Sequence, residues 1–213
     1  MASRAAATAS QQITDPLPRG FYAVPVVELA RRLLGATIWT EDGDGLSAGR
    51  IVETEAYGGP EDRASHARAG LTRRTAPMFG PPGHAYVYLV YGMHECLNVV
   101  AEEEGRAGAV LLRAAEPLLG VELMRRRRGR PADPVDRLAA GPARLAQALG
   151  VSRRLDGHDL TLGHRLWLEL DTAAEAADSR VASGPRIGVA YAADGWAERP
   201  WRFWLTDSQA VSR

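Results

Sequence analysis

The chain has 213 residues, 46% of them hydrophobic, which suits one well-buried soluble domain and is short for two. Its single cysteine, Cys96, excludes an internal disulfide and any cysteine-cluster metal site, and no apolar run is long enough to span a bilayer. Formal net charge is zero, but residues 63–130 hold 11 arginines against 6 acids, and all 26 basic residues are arginine, so lysine Schiff-base chemistry is excluded.

Residues 1–16 lack the apolar core of a signal segment and are expected to be a disordered tail, before one domain over 17–207 and a short tail over 208–213. From Val26 to Leu34 apolar residues recur at helical spacing, and Gly35 is placed to stop that helix. Ala36–Thr40 predicts a strand, Glu41–Gly45 a turn, and Leu46–Tyr57 the returning strand. That return ends in Ile51-Val52-Glu53-Thr54-Glu55-Ala56-Tyr57. Strand alternation places Val52, Thr54 and Ala56 on one face and Glu53, Glu55 and Tyr57 on the other. Glu55 and Tyr57 then emerge side by side, roughly 6–7 Å apart. A carboxylate beside an aromatic ring suits a flat ligand, although two solvated surface acids are the more ordinary reading of this stretch alone.

Gly58-Gly59-Pro60 predicts a turn, with Glu61 and Asp62 suited to the first turn of a short helix and His66 close behind. Residues 67–83 form a long irregular connection rich in Arg, Gly and Pro, of the kind that often binds something. His84–Tyr91 alternates as a strand, with Tyr86 and Tyr88 on one face and Tyr86 expected in the core. Gly92-Met93-His94 reverses it, and Cys96–Val100 returns. Tyr91 and Met93 thus sit at a hairpin tip with nothing internal to pack on, a candidate wedge for a base stack. Ala109–Ala114 predicts a strand carrying an isolated charge, Arg113, for which a strand-borne Glu is the natural partner. Val121–Arg128 predicts a helix whose four terminal arginines read as a solvated end favoured by the helix dipole. Gly141-Pro142-Ala143 predicts the start of another helix, through Leu145 and Leu149 and closed by Gly150. Leu166–Leu170, Arg186–Tyr191 and Arg202–Leu205 predict further strands, and Ser183–Gly188 a tight backbone approach. There is no repeat, phosphate loop, nucleotide fingerprint or metal-ligand spacing, so no cofactor and no metal are expected.

Three ordered segments, GRIVETEAYGGPEDRASH, MFGPPGHAYVYLVYGMHECLNVV and VLLRAAEPLLG, resemble the alkyladenine (3-methyladenine) DNA glycosylase family, and the later GPARLAQALG and RIGVAYAADGWAERPWRFW extend the likeness over nearly the whole chain. The resemblance implies an α+β fold, a single mixed domain around a curved, largely antiparallel β-sheet with a protruding hairpin that inserts into DNA. It implies Glu55 as the general base, with Arg113 and the Ile187 carbonyl positioning the attacking water. Tyr57, His66 and Tyr88 correspond to walls around an extruded base, Asn98 to a residue that collides with normal guanine, and Leu111 to a pocket lining position. Tyr91, flanked by Met93, corresponds to the side chain that fills the gap left in the duplex. His94 stands where mammalian members carry an aromatic, and no phosphate contacts are carried over to Arg73 or Arg74.

The same resemblance implies a monomeric base-excision enzyme that acts on double-stranded DNA containing damaged purines, such as 3-methyladenine, 7-methylguanine, hypoxanthine or ethenoadenine, and the heavy use of arginine and alanine points to a GC-rich bacterial genome and so to the cytoplasm. Such an enzyme rotates the base out of the duplex and hydrolyses the N-glycosidic bond through an oxocarbenium-like sugar, with one carboxylate serving as base and counter-charge. A non-catalytic lesion-binding module is the competing reading, and retention of Glu55 and Arg113 weighs against it.

Overall fold

The computed structural model of the protein describes residues 15–170 and 180–212. The tail expected over 1–16 lies outside them except at Asp15 and Pro16, and the next residue, Leu17, is already buried and donates its N–H to the Leu168 carbonyl.

Two helices, α1 (Arg19–Tyr22) and α2 (Val26–Arg32), lead into the sheet. Strand β1 (Thr37–Asp42) pairs antiparallel with β2 (Gly45–Tyr57) across a two-residue turn, so the expected five-residue turn shrinks to Gly43-Asp44. The hairpin β3 (Ala85–Val90) and β4 (His94–Val100) comes next, then the long strand β5 (Ala109–Leu119). Helices α3 (Val121–Arg128) and α4 (Pro142–Ala148) precede strands β6 (Leu166–Glu169), β7 (Val181–Gly184) and β8 (Arg202–Leu205). The strands form one 8-stranded antiparallel sheet ordered β3-β4-β5-β2-β1-β6, with β8 joining β2 and β7 joining β8.

The sheet branches at β2, which is why its acids are not solvated. Residues 45–50 pair with β1, whereas Glu53, Thr54 and Glu55 pair with Trp204, Phe203 and Arg202 of β8 on one side and with β5 on the other. One face of β2 packs on α2: Ile51, Val52 and Ala56 join Leu29, Ala30 and Leu33 in the main core, and the Thr54 hydroxyl donates to the Ala30 carbonyl at 2.8 Å. Each such fully buried aliphatic side chain contributes roughly 1.5–3 kcal/mol, so this face sets the register of the strand. Glu53, Glu55 and Tyr57 are thereby committed to the opposite face.

Several expectations are corrected. Arg186–Tyr191 is not a strand but a turn-rich segment. Pro185 has no N–H to donate, Gly188 takes φ +79°, and the Ile187 N–H is spent on a side chain instead of a ladder. The strand of this region is β7, just upstream. The short helix expected after Pro60 starts only at His66, because Asp62 turns inward. Of the arginines ending α3, Arg126 is exposed as expected, but Arg127 donates to Asp42, Ser47 and the Ala148 carbonyl, and Arg128 to Gln147. Residues 208–212, read from sequence as a tail, pack against the domain with Ala210 fully buried.

Candidate active site

The β2–β5 pairing is irregular around Glu53 and Arg113. Register shifts fall between Ile51 and Glu53 and between Glu53 and Thr54, so Glu53 pairs with Ala114 while Thr54 already pairs with Leu112. Arg113 is left without a paired partner, a bulge of the kind that re-aims a side chain. Its guanidinium lies between the two acids of β2: Nε donates to Glu53 at 3.0 Å and Nη1 sits 3.2 Å from Glu55 Oε2. Glu53 and Glu55 are both fully buried and Arg113 is 6% exposed. Burial works against the arginine's charge, but Glu55 and Glu53 overcome it and hold its pKa above the ordinary value.

Glu55 receives three donors. The Tyr57 hydroxyl gives Oε2 a hydrogen bond at 2.8 Å, Arg113 approaches the same oxygen, and the Ile187 N–H gives Oε1 one at 2.7 Å. Burial first, and then the neighbouring Glu55 charge, push the Tyr57 phenol far above its usual range, so it remains a donor. An ionised carboxylate offers about four acceptor positions, so one remains open.

These residues close one end of a cavity of about 600 Å³, within the usual span for small-ligand sites. Tyr57, His66, Tyr88, Asn98, Leu111, Arg113 and Ile187 all line it. Glu55 lies directly behind, touching it through Tyr57, Arg113 and Ile187. Tyr91 borders the cavity at the hairpin tip, 88% exposed, while Met93, 72% exposed, stands on the same tip outside the lining. Asn98 is held by a bond from its amide nitrogen to the Tyr86 carbonyl at 3.0 Å.

One wall is aromatic: Tyr88 lies 5.3 Å from Tyr86 and 4.6 Å from His66, ring centre to ring centre. Burial, then Arg74 and Arg68, drop the pKa of His66 to about 4, so its ring is neutral. Arg74 can only donate, so at 3.3 Å it makes His66 Nε2 the acceptor and leaves the proton on Nδ1, which lies 3.1 Å from the Tyr86 hydroxyl. Cys96 also lines the cavity, but burial lifts its thiol to about 11 and keeps it inert.

Sequence reasoning missed the support behind Tyr57. Arg186 and Asp62 form a fully buried bidentate pair at 2.6 and 3.0 Å. Asp62 also accepts the N–H groups of Gly58 and Ala64, while the guanidinium lies 4.9 Å from the Tyr57 ring centre and 5.2 Å from that of Trp201. The clamp ties the loop bearing His66 to the turn bearing Ile187. Its only sequence signal is two charges placed among glycines. Tyr86, expected as core, is buried and also serves the site through His66.

A cavity with an aromatic wall, an exposed tip and a sealed carboxylate can hold a flat ring while a polar group acts at its edge. Among the described residues no group of three or more His, Cys, Asp or Glu is placed to hold a metal ion. No helix among them is long and apolar enough to cross a membrane.

Comparison with known proteins gives consistent matches. The family profile described as methylpurine-DNA glycosylase (MPG) matches residues 20–209. A relative from Methanocella arvoryzae is 46% identical over 197 residues, covering 92% of this chain and 96% of its own length. One from Anaeromyxobacter dehalogenans (strain 2CP-C) is 50% identical over 198 residues, covering 92% and 86%. A third, from Streptomyces avermitilis, is 47% identical over 197 residues, covering 92% and 91%. Each of the three bears the name "Putative 3-methyladenine DNA glycosylase".

Proposed function

Because the chain belongs to the methylpurine-DNA glycosylase family, we propose that it is a monofunctional glycosylase of base excision repair. It flips alkylated or deaminated purines from duplex DNA and hydrolyses their N-glycosidic bond with a water activated by Glu55. The observation that carries this reading is the buried Glu55 carboxylate behind an aromatic cavity, with three donors fixing it and one acceptor position left over.

In this mechanism an extruded purine stacks between Tyr57 and the His66–Tyr88 wall, which returns roughly 1–3 kcal/mol of the unstacking cost. Glu55 takes a proton from water at C1′ and offsets the positive charge that grows on the sugar. Arg113 and the Ile187 carbonyl hold that water in line. A carboxylate fixed in place suits both tasks, and Arg113 with the Tyr57 hydroxyl fixes it through charge-assisted bonds. The names of the relatives favour 3-methyladenine as one substrate. We include 7-methylguanine, hypoxanthine and ethenoadenine, because an aromatic wall selects by stacking and shape as much as by hydrogen bonding. To Asn98, held by the Tyr86 carbonyl, we assign exclusion of the amino group of normal guanine. The enzyme acts as a monomer on nucleoid DNA in the cytoplasm.

The test is release of free base from duplexes each holding one of the four lesions, by the wild-type protein and by Glu55→Gln. Base release by the wild type, lowered about 10²–10⁴-fold in the variant, is expected. Equal release by both removes Glu55 from the mechanism, and no release by either leaves a lesion-binding module.

A further inference from the structure

Glu53 is fully buried on the same face as Glu55, yet base excision by Glu55 gives it no task beyond pairing. It is bound from three directions. Arg113 Nε reaches Oε1 at 3.0 Å, Arg202 Nε reaches the same oxygen at 2.7 Å, and the backbone N–H of Ser212 donates to Oε2 at 2.7 Å. Ser212 makes a second contact, accepting a hydrogen bond on Oγ from Arg113 Nη2 at 3.2 Å. Each nitrogen of the Arg113 guanidinium therefore has its own partner: Nε on Glu53, Nη2 on Ser212 and Nη1 on Glu55. Arg202 is held in turn on β8, where it pairs with Glu55 across β2 and lies 4.7 Å from the Trp204 ring centre.

We propose that Glu53 and Ser212 are positioning residues for base excision, holding Arg113 so that it offers Glu55 one nitrogen instead of a two-pronged grip. The inference rests on the glycosylase reading. The physical reason lies in guanidinium geometry. An arginine free to choose binds a carboxylate with two parallel N–H groups. Such a fork on Glu55, added to Tyr57 and Ile187, would occupy all four acceptor positions and leave none for a water. Glu53 and Ser212 remove that option by claiming the other two nitrogens. They also bring a second carboxylate and Arg202 into the cluster, so two acids face two arginines and no buried charge lacks a partner.

The experiment is single-turnover release of base from a duplex containing one hypoxanthine and, separately, one 7-methylguanine, read beside affinity for a duplex with an abasic-site analogue. Ser212→Ala removes only the Oγ contact to Arg113, and Ser212→Thr keeps it; Ser212→Pro also deletes the N–H that binds Glu53. The expected loss in the chemical rate is about tenfold for Ser212→Ala and larger for Ser212→Pro, one charged hydrogen bond being worth about that factor. Ser212→Thr should return the rate to within about twofold of wild type while affinity for the analogue stays unchanged in all three, the pattern of an interaction used only in the transition state. Glu53→Gln should lose about 10- to 100-fold through the same misplacement, with Glu53→Asp between it and wild type. Wild-type rates in Ser212→Ala and Ser212→Pro would overturn the proposal. So would parallel loss of rate and affinity, which marks a merely structural contact. A wild-type protein that binds the duplexes but releases no base fails the glycosylase reading itself and takes this inference with it.

Discussion

At His66 the protonation state is set by what surrounds the ring. Burial and the charges of Arg74 and Arg68 hold its pKa near 4, against about 6.5 in an unfolded chain. The unfolded state therefore binds a proton that the folded state refuses, and the stability tied to this residue is whole above pH 6.5 and is lost as pH falls toward 4. Denaturant unfolding at pH 7 and pH 5 should show wild type losing more stability on acidification than His66→Gln; an identical loss would place the pH sensitivity elsewhere. In Arg74→Ala the imidazole titration followed by NMR should move up toward the ordinary histidine value. The sequence makes Glu55 and Tyr57 legible as a pair, since strand alternation alone puts them on one face. It does not make His66 neutral, because that depends first on burial of the ring and then on Arg74, eight residues away, turning back across Tyr88. Glu53 is the sharper case. It shares the face and chemical type of Glu55, and only the pairing of β8 tells a buried hub from a solvated acid.

The β3–β4 hairpin carries the clearest conflict between element and residue. At its tip Tyr91 has φ 52° and Gly92 φ 69°, and the Met93 N–H closes the turn on the Val90 carbonyl. Two successive left-handed residues suit Asn-Gly, as in a type I′ turn, whereas an aromatic there is strained and, at 88% exposure, packs on little within the protein. Strain of this kind costs about 1–2 kcal/mol and persists where the side chain has a use. Tyr91→Asn should accordingly raise the stability of the fold by about 1 kcal/mol in denaturant unfolding. It should also weaken binding to a lesion duplex about tenfold, the value of one lost base stack. A variant that is more stable yet binds as tightly would remove Tyr91 from the DNA contact. The hairpin is readable because His84–Val100 alternates cleanly around a glycine. The bulge at Arg113 is not, since a register shift belongs to two strands at once. The mistaken strand over Arg186–Tyr191 has the same origin: an apolar run with β-branched residues reads as a strand, while the buried partners Asp62 and Glu55 draw it into a turn.

Over the whole molecule, charge and residue usage make two statements that no single element makes. Zero net charge hides a basic middle, and most of the residues lining the cavity, Arg74 and Arg113 among them, come from that stretch. The absence of lysine decides what the product should be. With the chain's own amino terminus as the sole amine nucleophile, incubation with a lesion duplex should leave an intact strand bearing an abasic site, nicked only after alkali. Strand scission by the purified protein before alkali would contradict this. The two hairpins are legible from alternation and turn residues, whereas the mixed fold around an antiparallel sheet is legible only through the family resemblance. The branching of the sheet at β2 is not, because β1 and β8 stand far apart in the chain and divide one strand between them.

Glu53 and Ser212 are separated by 159 positions, and their bond closes beside Arg113. A ribosome that has released only β1 through β5 has exposed both acids and Arg113 without the pieces that set their spacing. Synthesis must run through Ser212, and the longest loop in the ion cluster must shut, before the cleft is competent. The strand that carries both acids is thus made long before the partner that sets their spacing.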